Sequence, residues 1–386
     1  MIQGYKVKLK PNNKQKQKLI ECFGVSRFAY NWALDYQKKN YEQGNKYIFE
    51  EDLRKIFTKF KQKEENKWLY NYSSDIHKQA IKDLDNAYQK FFKGLGKFPK
   101  FKSKKYSKQS FYVDTDKIKI TKDKVKLEKL TLSRKRNKQK FNWIKIAEKG
   151  RIPLGVKYQN PRISFDGINF YLSLSVENKD EKFTDFNDGI GIDLGISKLA
   201  YCSDNISYKN INKTKKVKQI KKKLKRLQRK CSKKYELNKK GGSYCKTKNI
   251  IKLEKQISVI YKRLTNIRHN YLHQTTTEII NRKPKFIIME TLNVKNMMKN
   301  KHLSKSIQEQ CFNMFTRLIE YKCKRKGIIF QQVPNKFPSS KLCSNCGNHK
   351  KDLKLKDRVY KCEHCGIIID RDYNASLNLK SMFNQI

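Results

Sequence analysis

The sequence predicts a multidomain α+β protein, and three observations predict it. Apolar residues recur at helical spacing up to Gly94, short alternating segments take over from Phe98 to about residue 182, and beyond Asp188 short apolar strands alternate with long basic helices. A chain of 386 residues is long enough for two or three domains, and 37% hydrophobic with 12% aromatic residues is enough to build their cores.

Residues 1–10 alternate, with Tyr5, Val7 and Leu9 on one side and Lys6, Lys8 and Lys10 on the other, the pattern of a half-exposed strand that Pro11-Asn12-Asn13 ends. Leu19, Ile20, Phe23, Phe28, Trp32 and Tyr36 then mark a helix interrupted at Gly24. A second helix is expected over 53–60, and a third starts at the capping residues Ser73 and Ser74. Residues 11–97 are therefore read as a helical module. On its third helix Ser74, His77 and Lys78 fall at i, i+3 and i+4, a polar face that suits a phosphate or a base edge, or simply solvent.

After Gly94 and Gly96 helical spacing disappears. Ile118 with Ile120, Val125 with Leu127, Ile163 with Phe165, and Phe170 through Val176 alternate, and Asp166-Gly167 supplies a hairpin turn. This predicts an antiparallel β module over 98–182, with the strand at 1–10 assigned to it. Cations interleaved with aromatics, as in Lys97-Phe98-Pro99-Lys100-Phe101-Lys102, suit nucleic-acid backbone contact and base stacking.

Residues 183–386 read as an α/β region. Gly189-Ile190-Gly191-Ile192-Asp193-Leu194-Gly195 is an apolar strand carrying one carboxylate, followed by a second strand at 199–202. Val217, Ile220, Leu224 and Leu227 stripe a very basic helix, Gly241-Gly242 breaks it, and Leu253, Ile257, Ile260, Leu264, Ile267 and Tyr271 stripe another. The pair is an antiparallel helical hairpin over about 214–272. Lys285-Phe286-Ile287-Ile288-Met289-Glu290 is a second buried strand ending in a carboxylate. A helix over about 303–326 and a strand at 328–333 then lead to Cys343-x-x-Cys346-Gly347, Cys362-x-x-Cys365-Gly366 and Asp370-Arg371-Asp372-Tyr373-Asn374-Ala375.

Lys and Arg number 90 against 35 Asp and Glu, a formal net charge of +55 with a pI near 9.9. A small domain needs a net charge of only about 2 to 8 for solubility. The excess predicts a polyanionic partner: about 20 base pairs of duplex carry roughly 40 phosphates, a charge of the same order. No apolar run approaches membrane-spanning length, the amino end has no leader-like apolar segment, and no membrane partner is expected. Six of the ten cysteines show no common spacing, which fits a reduced intracellular compartment rather than a disulfide framework.

Cys343, Cys346, Cys362 and Cys365 can supply four thiolates to one tetrahedral, structural Zn²⁺ in a ribbon over about 338–368. Asp193, Glu290 and Asp372 are the other constellation. Carboxylates on strands that belong inside a sheet are costly without a cation or hydrogen bonds. Three converging in a cationic chain would make a pocket for hard divalent ions. Two Mg²⁺ ions about 4 Å apart, with Mn²⁺ as a substitute, would activate a water and stabilise the leaving oxygen of a phosphodiester.

The ordered set Gly191-Ile192-Asp193-Leu194-Gly195, Met289-Glu290-Thr291-Leu292-Asn293, the two cysteine pairs and Asp370-Arg371-Asp372-x-Asn374-Ala375 resembles the TnpB proteins of insertion sequences. Arg27-Phe28-Ala29-Tyr30-Asn31-Trp32, Asn86-Ala87-Tyr88-x-x-Phe91-Phe92 and Phe98-Pro99-Lys100-Phe101-Lys102 are similar to that family's amino-terminal half, so the resemblance spans nearly the whole chain. It implies an RNA-guided DNA endonuclease with a wedge-type β-barrel at 1–10 and 98–182, a helical recognition module at 11–97, and a RuvC-like, RNase H-type nuclease domain at 183–386. Asp193, Glu290 and Asp372 would be the Mg²⁺ ligands, with Asp370 competing for the third place and Asn374 behind them. The implied partners are a transposon-derived guide RNA and double-stranded target DNA, one protein per RNA, in the cytoplasm at the nucleoid. Relatives that have lost the carboxylates act as RNA-guided repressors, and a strand-transfer transposase is a further alternative. All three carboxylates are present here, which favours the nuclease.

Overall fold

The computed structural model describes residues 2–133, 135–178, 181–334, 337–354 and 357–384. It divides into two units, Met1–Lys179 and Asp180–Ile386.

The first unit opens with β1 (Ile2–Lys10) and three helices, α1 (Asn13–Glu42), α2 (Glu50–Gln62) and α3 (Ser74–Phe92). α1 starts at a reciprocal cap: the Gln15 backbone N–H donates to the Asn12 side chain, and the Asn12 N–H donates to that of Gln15. It runs unbroken through Gly24, where an interruption was expected. A helical glycine costs about 1 kcal/mol, and burial of Leu19, Phe23, Ala29 and Ala33 on either side outweighs it. Ser73 caps α3, as its position before the apolar run predicts.

Strands β2 (Gln109–Tyr112), β3 (Lys119–Ile120) and β4 (Lys124–Lys126), the single turn α4 (Arg136–Gln139), and strands β5 (Trp143–Ile146), β6 (Tyr158–Phe165) and β7 (Phe170–Glu177) follow. With β1 these strands form an antiparallel sheet in the order β2-β6-β7-β1-β5-β4-β3. Among the described residues β2 and β3 are not paired to each other, so the expected barrel is an open ladder here; end strands of four and two residues offer little to close it. Val7, Leu172 and Val176 of the sheet lie in one buried cluster with Leu19, Phe23 and Leu34 of the helices. The stretches read from sequence as two modules thus share a core.

The second unit is built on a mixed sheet. β8 (Ile190–Leu194), β9 (Lys198–Cys202) and β10 (Ser207–Lys209) run antiparallel. The basic hairpin follows as α5 (Lys215–Leu237), a tip ribbon of β11 (Lys239–Lys240) with β12 (Ser243–Tyr244), and α6 (Lys248–Asn281). β13 (Phe286–Glu290) then pairs parallel to β8. α7 (Val294–Met297), α8 (Ser304–Gln310) and α9 (Phe312–Lys326) precede β14 (Ile329–Val333), which pairs parallel to β13. The sheet order is β10-β9-β8-β13-β14. The helix expected over 303–326 is broken at Cys311, whose φ of 57° is left-handed. The break lets Gln310 turn its amide to the Gly195 carbonyl, 2.9 Å away. β15 (Val359–Lys361), β16 (Ile368–Asp370) and α10 (Arg371–Ser381) complete the unit.

α10 presses its backbone on β8. A Cβ at Gly191 would stand 2.1 Å from the Ser376 carbonyl oxygen and 2.5 Å from the Lys380 nitrogen, so only glycine admits the helix. A Cβ at Gly189 would strike the Phe286 ring at 2.1 Å, and that ring stacks on Phe383 with centroids 3.8 Å apart. Gly191→Ala is therefore expected to cost about 3 kcal/mol or more, because the clash is with backbone. Gly242→Ala, with nothing within 4 Å, should be near neutral. Thermal melts of the two variants check this.

Candidate metal centre

Asp193 is the fourth residue of β8 and Glu290 the last of β13. The parallel register pairs Ile287 with Ile190 and Met289 with Ile192, so the two carboxylates follow at the same end of adjacent strands. Asp372 enters from the first turn of α10, whose seat on Gly191 brings it to that end. Burial, then the charges of Glu290 and Asp372, hold the Asp193 carboxyl well above the ordinary Asp range, against the opposing pull of Arg371. Burial also lifts Glu290. All three of the carboxylates singled out in the sequence are thus brought into electrostatic contact. They form a hard-oxygen set whose mutual repulsion a divalent cation would relieve.

Asp370 has another task. It caps α10, its Oδ1 accepting from the backbone N–H of Asp372 at 2.9 Å and of Tyr373 at 3.1 Å. Asp372 has no side-chain hydrogen-bond or ion-pair partner among the described residues. Tyr201, directly across the ladder from Asp193, lies 5.6 Å from the Tyr373 ring and carries Lys198 Nζ 4.1 Å above its own. Sequence reading missed Tyr201 and Arg371. Arg371 stood inside the acidic motif in plain view, whereas Tyr201 is recognisable only from the strand register.

The four cysteines meet as their spacing predicts. Their sulfurs all lie within 4.8 Å of one another, with Cys343 to Cys365 at 3.6 Å and Cys346 to Cys362 at 3.5 Å. A tetrahedron with 2.3 Å Zn–S bonds has edges of roughly 3.8 Å, so the donor set fits zinc. Among the described residues no other group of His, Cys, Asp or Glu ligand atoms is this tight, and the three carboxylates are more widely spaced. Each knuckle closes through a left-handed glycine: Gly347 N–H donates to Cys343 O and Gly366 N–H to Cys362 O, both at φ 73°. Backbone N–H donation, led by Cys365, draws the Cys362 thiol down to about 6. Residues 355 and 356 of the expected ribbon lie outside the described residues.

The ribbon grips the face of α10 turned away from β8. Asn374 Nδ2 donates to Leu342 O at 2.6 Å and its Oδ1 accepts from Ser344 N–H at 2.9 Å. Asn378 Nδ2 donates to Ser339 O and Leu342 O, both at 2.7 Å, and Arg371 to Lys354 O at 2.9 Å. Asn374, expected just behind the metal ligands, is instead spent on the first cysteine knuckle, because both its polar atoms face that loop.

The proposed nucleic-acid face on α3 is split. His77 points inward, 2% exposed, against the Phe57 ring, and neither of its ring nitrogens has a hydrogen-bond partner. Burial, reinforced by Lys61 and Lys129, pushes its pKa down to about 3, so it is neutral at physiological pH. Ser74 is half-buried and Lys78 exposed. His77 is therefore a core residue rather than a surface contact, since the i, i+3 spacing rotates it towards α2.

Three family models match separate stretches: a "Helix-turn-helix domain" of OrfB_IS605 type over 1–46, an OrfB_IS605 "Probable transposase" over 173–301, and a "Cas12f1-like, TNB domain" over 312–379. Residues 1–46, matched by the first of these, hold one strand and one continuous helix. The "Putative RNA-guided DNA endonuclease InsQ" of Escherichia coli is 28% identical, over 98% of this chain and 91% of its own. The "Putative RNA-guided DNA endonuclease" of Streptomyces pristinaespiralis is 27% identical over 97% and 88%. "TnpB-like protein L79" of Acanthamoeba polyphaga mimivirus is 30% identical over 134 residues, 33% of this chain and 25% of its own. The chain is thus similar over nearly its whole length to proteins named putative RNA-guided DNA endonucleases, and over a third of it to a TnpB-like protein. No described helix is long and apolar enough to cross a membrane.

Two outcomes follow from this geometry. Metal analysis should find one zinc per chain, and Cys362→Ser should lose it together with thermal stability, since α10 then loses its outer clamp. A carboxyl raised in the folded state stabilises most below its unfolded pKa, and that stability is lost as pH rises through the folded value. Without added Mg²⁺, Asp193→Asn should accordingly melt higher than the parent, by a margin larger at pH 8 than at pH 5.

Proposed function

We propose that the protein is an RNA-guided DNA endonuclease of a transposable element. It cuts double-stranded DNA beside a short adjacent motif, at one site formed by Asp193, Glu290 and Asp372. The observation that carries this reading is the convergence of those three carboxylates from β8, β13 and α10 in a chain of net charge +55. The mixed sheet, with both strand carboxylates at one end, supports an RNase H-type reading of the second unit. The names of the relatives matching over nearly the whole chain point to the same activity.

Bound at the three carboxylates, Mg²⁺ supplies activation of the attacking water and charge stabilisation of the leaving oxygen. The protein's own part is positional. Asp193 and Glu290 are fixed by strand register, and Asp372 by α10, which the zinc ribbon clamps. Asp372 rather than Asp370 is taken as the third ligand because Asp370 is engaged as the cap. The guide reads sequence by base pairing, so the protein needs no base code over the target. Its cations, including the α5 and α6 hairpin, hold backbone.

Purified with its native RNA, the protein should linearise a plasmid carrying a guide-matched target in Mg²⁺. Asp193→Ala should bind that target and leave it intact. Equal cleavage by the variant sinks the assignment; target binding without cleavage by the parent protein would favour an RNA-guided repressor.

A further inference from the structure

The outer face of β1, β5, β4 and β3 carries an electrostatic arrangement that folding alone does not explain. The register sets Lys10 opposite Lys145, Lys145 opposite Lys124, Lys126 opposite Trp143, and Lys119 opposite Lys126. Like charges directly across a ladder are destabilising, and none of these lysines has a carboxylate partner among the described residues. Trp143 therefore stands among lysines on the face opposite the buried Ile144 and Ile146.

Beside it opens a cleft of about 790 Å³, lined in part by Lys10, Lys138, Lys140, Lys145, Phe141 and Trp143. The aromatic backbone is held from beneath: Gln15 of α1, 5% exposed, donates from Nε2 to Phe141 O at 2.8 Å and to Trp143 O at 3.0 Å. Two aromatic side chains lining one cleft, on a backbone held by hydrogen bonds and rimmed by unpaired cations, are suited to a base with its flanking phosphates. Duplex cannot use it, because paired bases are stacked inside the helix; an unpaired nucleotide can.

We propose that this cleft receives one unstacked nucleotide of a single strand, its base against Trp143 and Phe141 and its flanking phosphates on Lys10, Lys145, Lys138 and Lys140. The source of the strand, guide RNA or opened DNA, rests on the function proposed above; the pocket itself does not. The ligand offsets the repulsion of the lysine ladder.

The test titrates the full-length protein, without Mg²⁺, with labelled single-stranded RNA, single-stranded DNA of the same sequence, and duplex. Trp143→Ala should weaken single-strand binding by about tenfold and Trp143→Phe should restore most of it. Lys10→Ala with Lys145→Ala should lower the salt slope by about 1.4, the release expected of two single-strand phosphates. The same double variant should melt higher than the parent without nucleic acid, an effect a merely structural role would not give. Preference for RNA assigns the guide as occupant, and preference for DNA assigns the opened strand. The proposal is overturned if Trp143→Ala binds within twofold of the parent, if the double variant leaves salt slope and melting unchanged, or if every variant weakens duplex as much as single strands. No step needs cleavage, so an inactive carboxylate centre and an unused cleft give different results.

Discussion

The contact on which the second unit depends is the bare backbone of Gly191 against the backbone of α10. A strand and a helix this close leave no room for a side chain, so the helix has one seat. Because Asp372 lies in the helix's first turn, that seat determines where the third carboxylate comes to rest. The four-cysteine ribbon acts on the same helix from the other side through Asn374, Asn378 and Arg371. Two ligand sets of different chemistry are thus joined through one short helix: four soft thiolates on one side and three hard carboxylates on the other.

The charge distribution follows the same division. Nearly everywhere the chain is cationic, which suits long polyanions and destabilises the unliganded fold. At one end of the β8 and β13 pair the sign reverses locally, and burial, followed by the charges of Glu290 and Asp372, holds the Asp193 carboxyl above its ordinary range there. The β8–β9 turn next to it is held by neutral groups instead, with Gln310 Nε2 on Gly195 O and Asn210 Nδ2 on Ile196 O, both at 2.9 Å.

Much of this was readable from residue order. An apolar strand with one terminal carboxylate has few places to go in a sheet, which made Asp193 and Glu290 stand out, and paired cysteines with trailing glycines specify a knuckle by themselves. What could not be read was rotation and contact. The spacing of Ser74, His77 and Lys78 describes a face but not which neighbour it meets, and α2 meets it at His77. Gly24 looks like a break until the burial on both sides is known. Cys311 looks helical until Gln310 finds a carbonyl more than a hundred residues away in sequence. The lysine ladder around Trp143 exists only once the strands are in register.

The seat on Gly191 also has a meaning in time. The chain is made from its amino end, so β8 and β13 leave the ribosome well before α10 does. Until that helix arrives, the groove over Gly191 is open and two carboxylates stand without the third. A nascent chain therefore holds two of the three carboxylates before it holds the third, and the set is completed in the closing of a single groove.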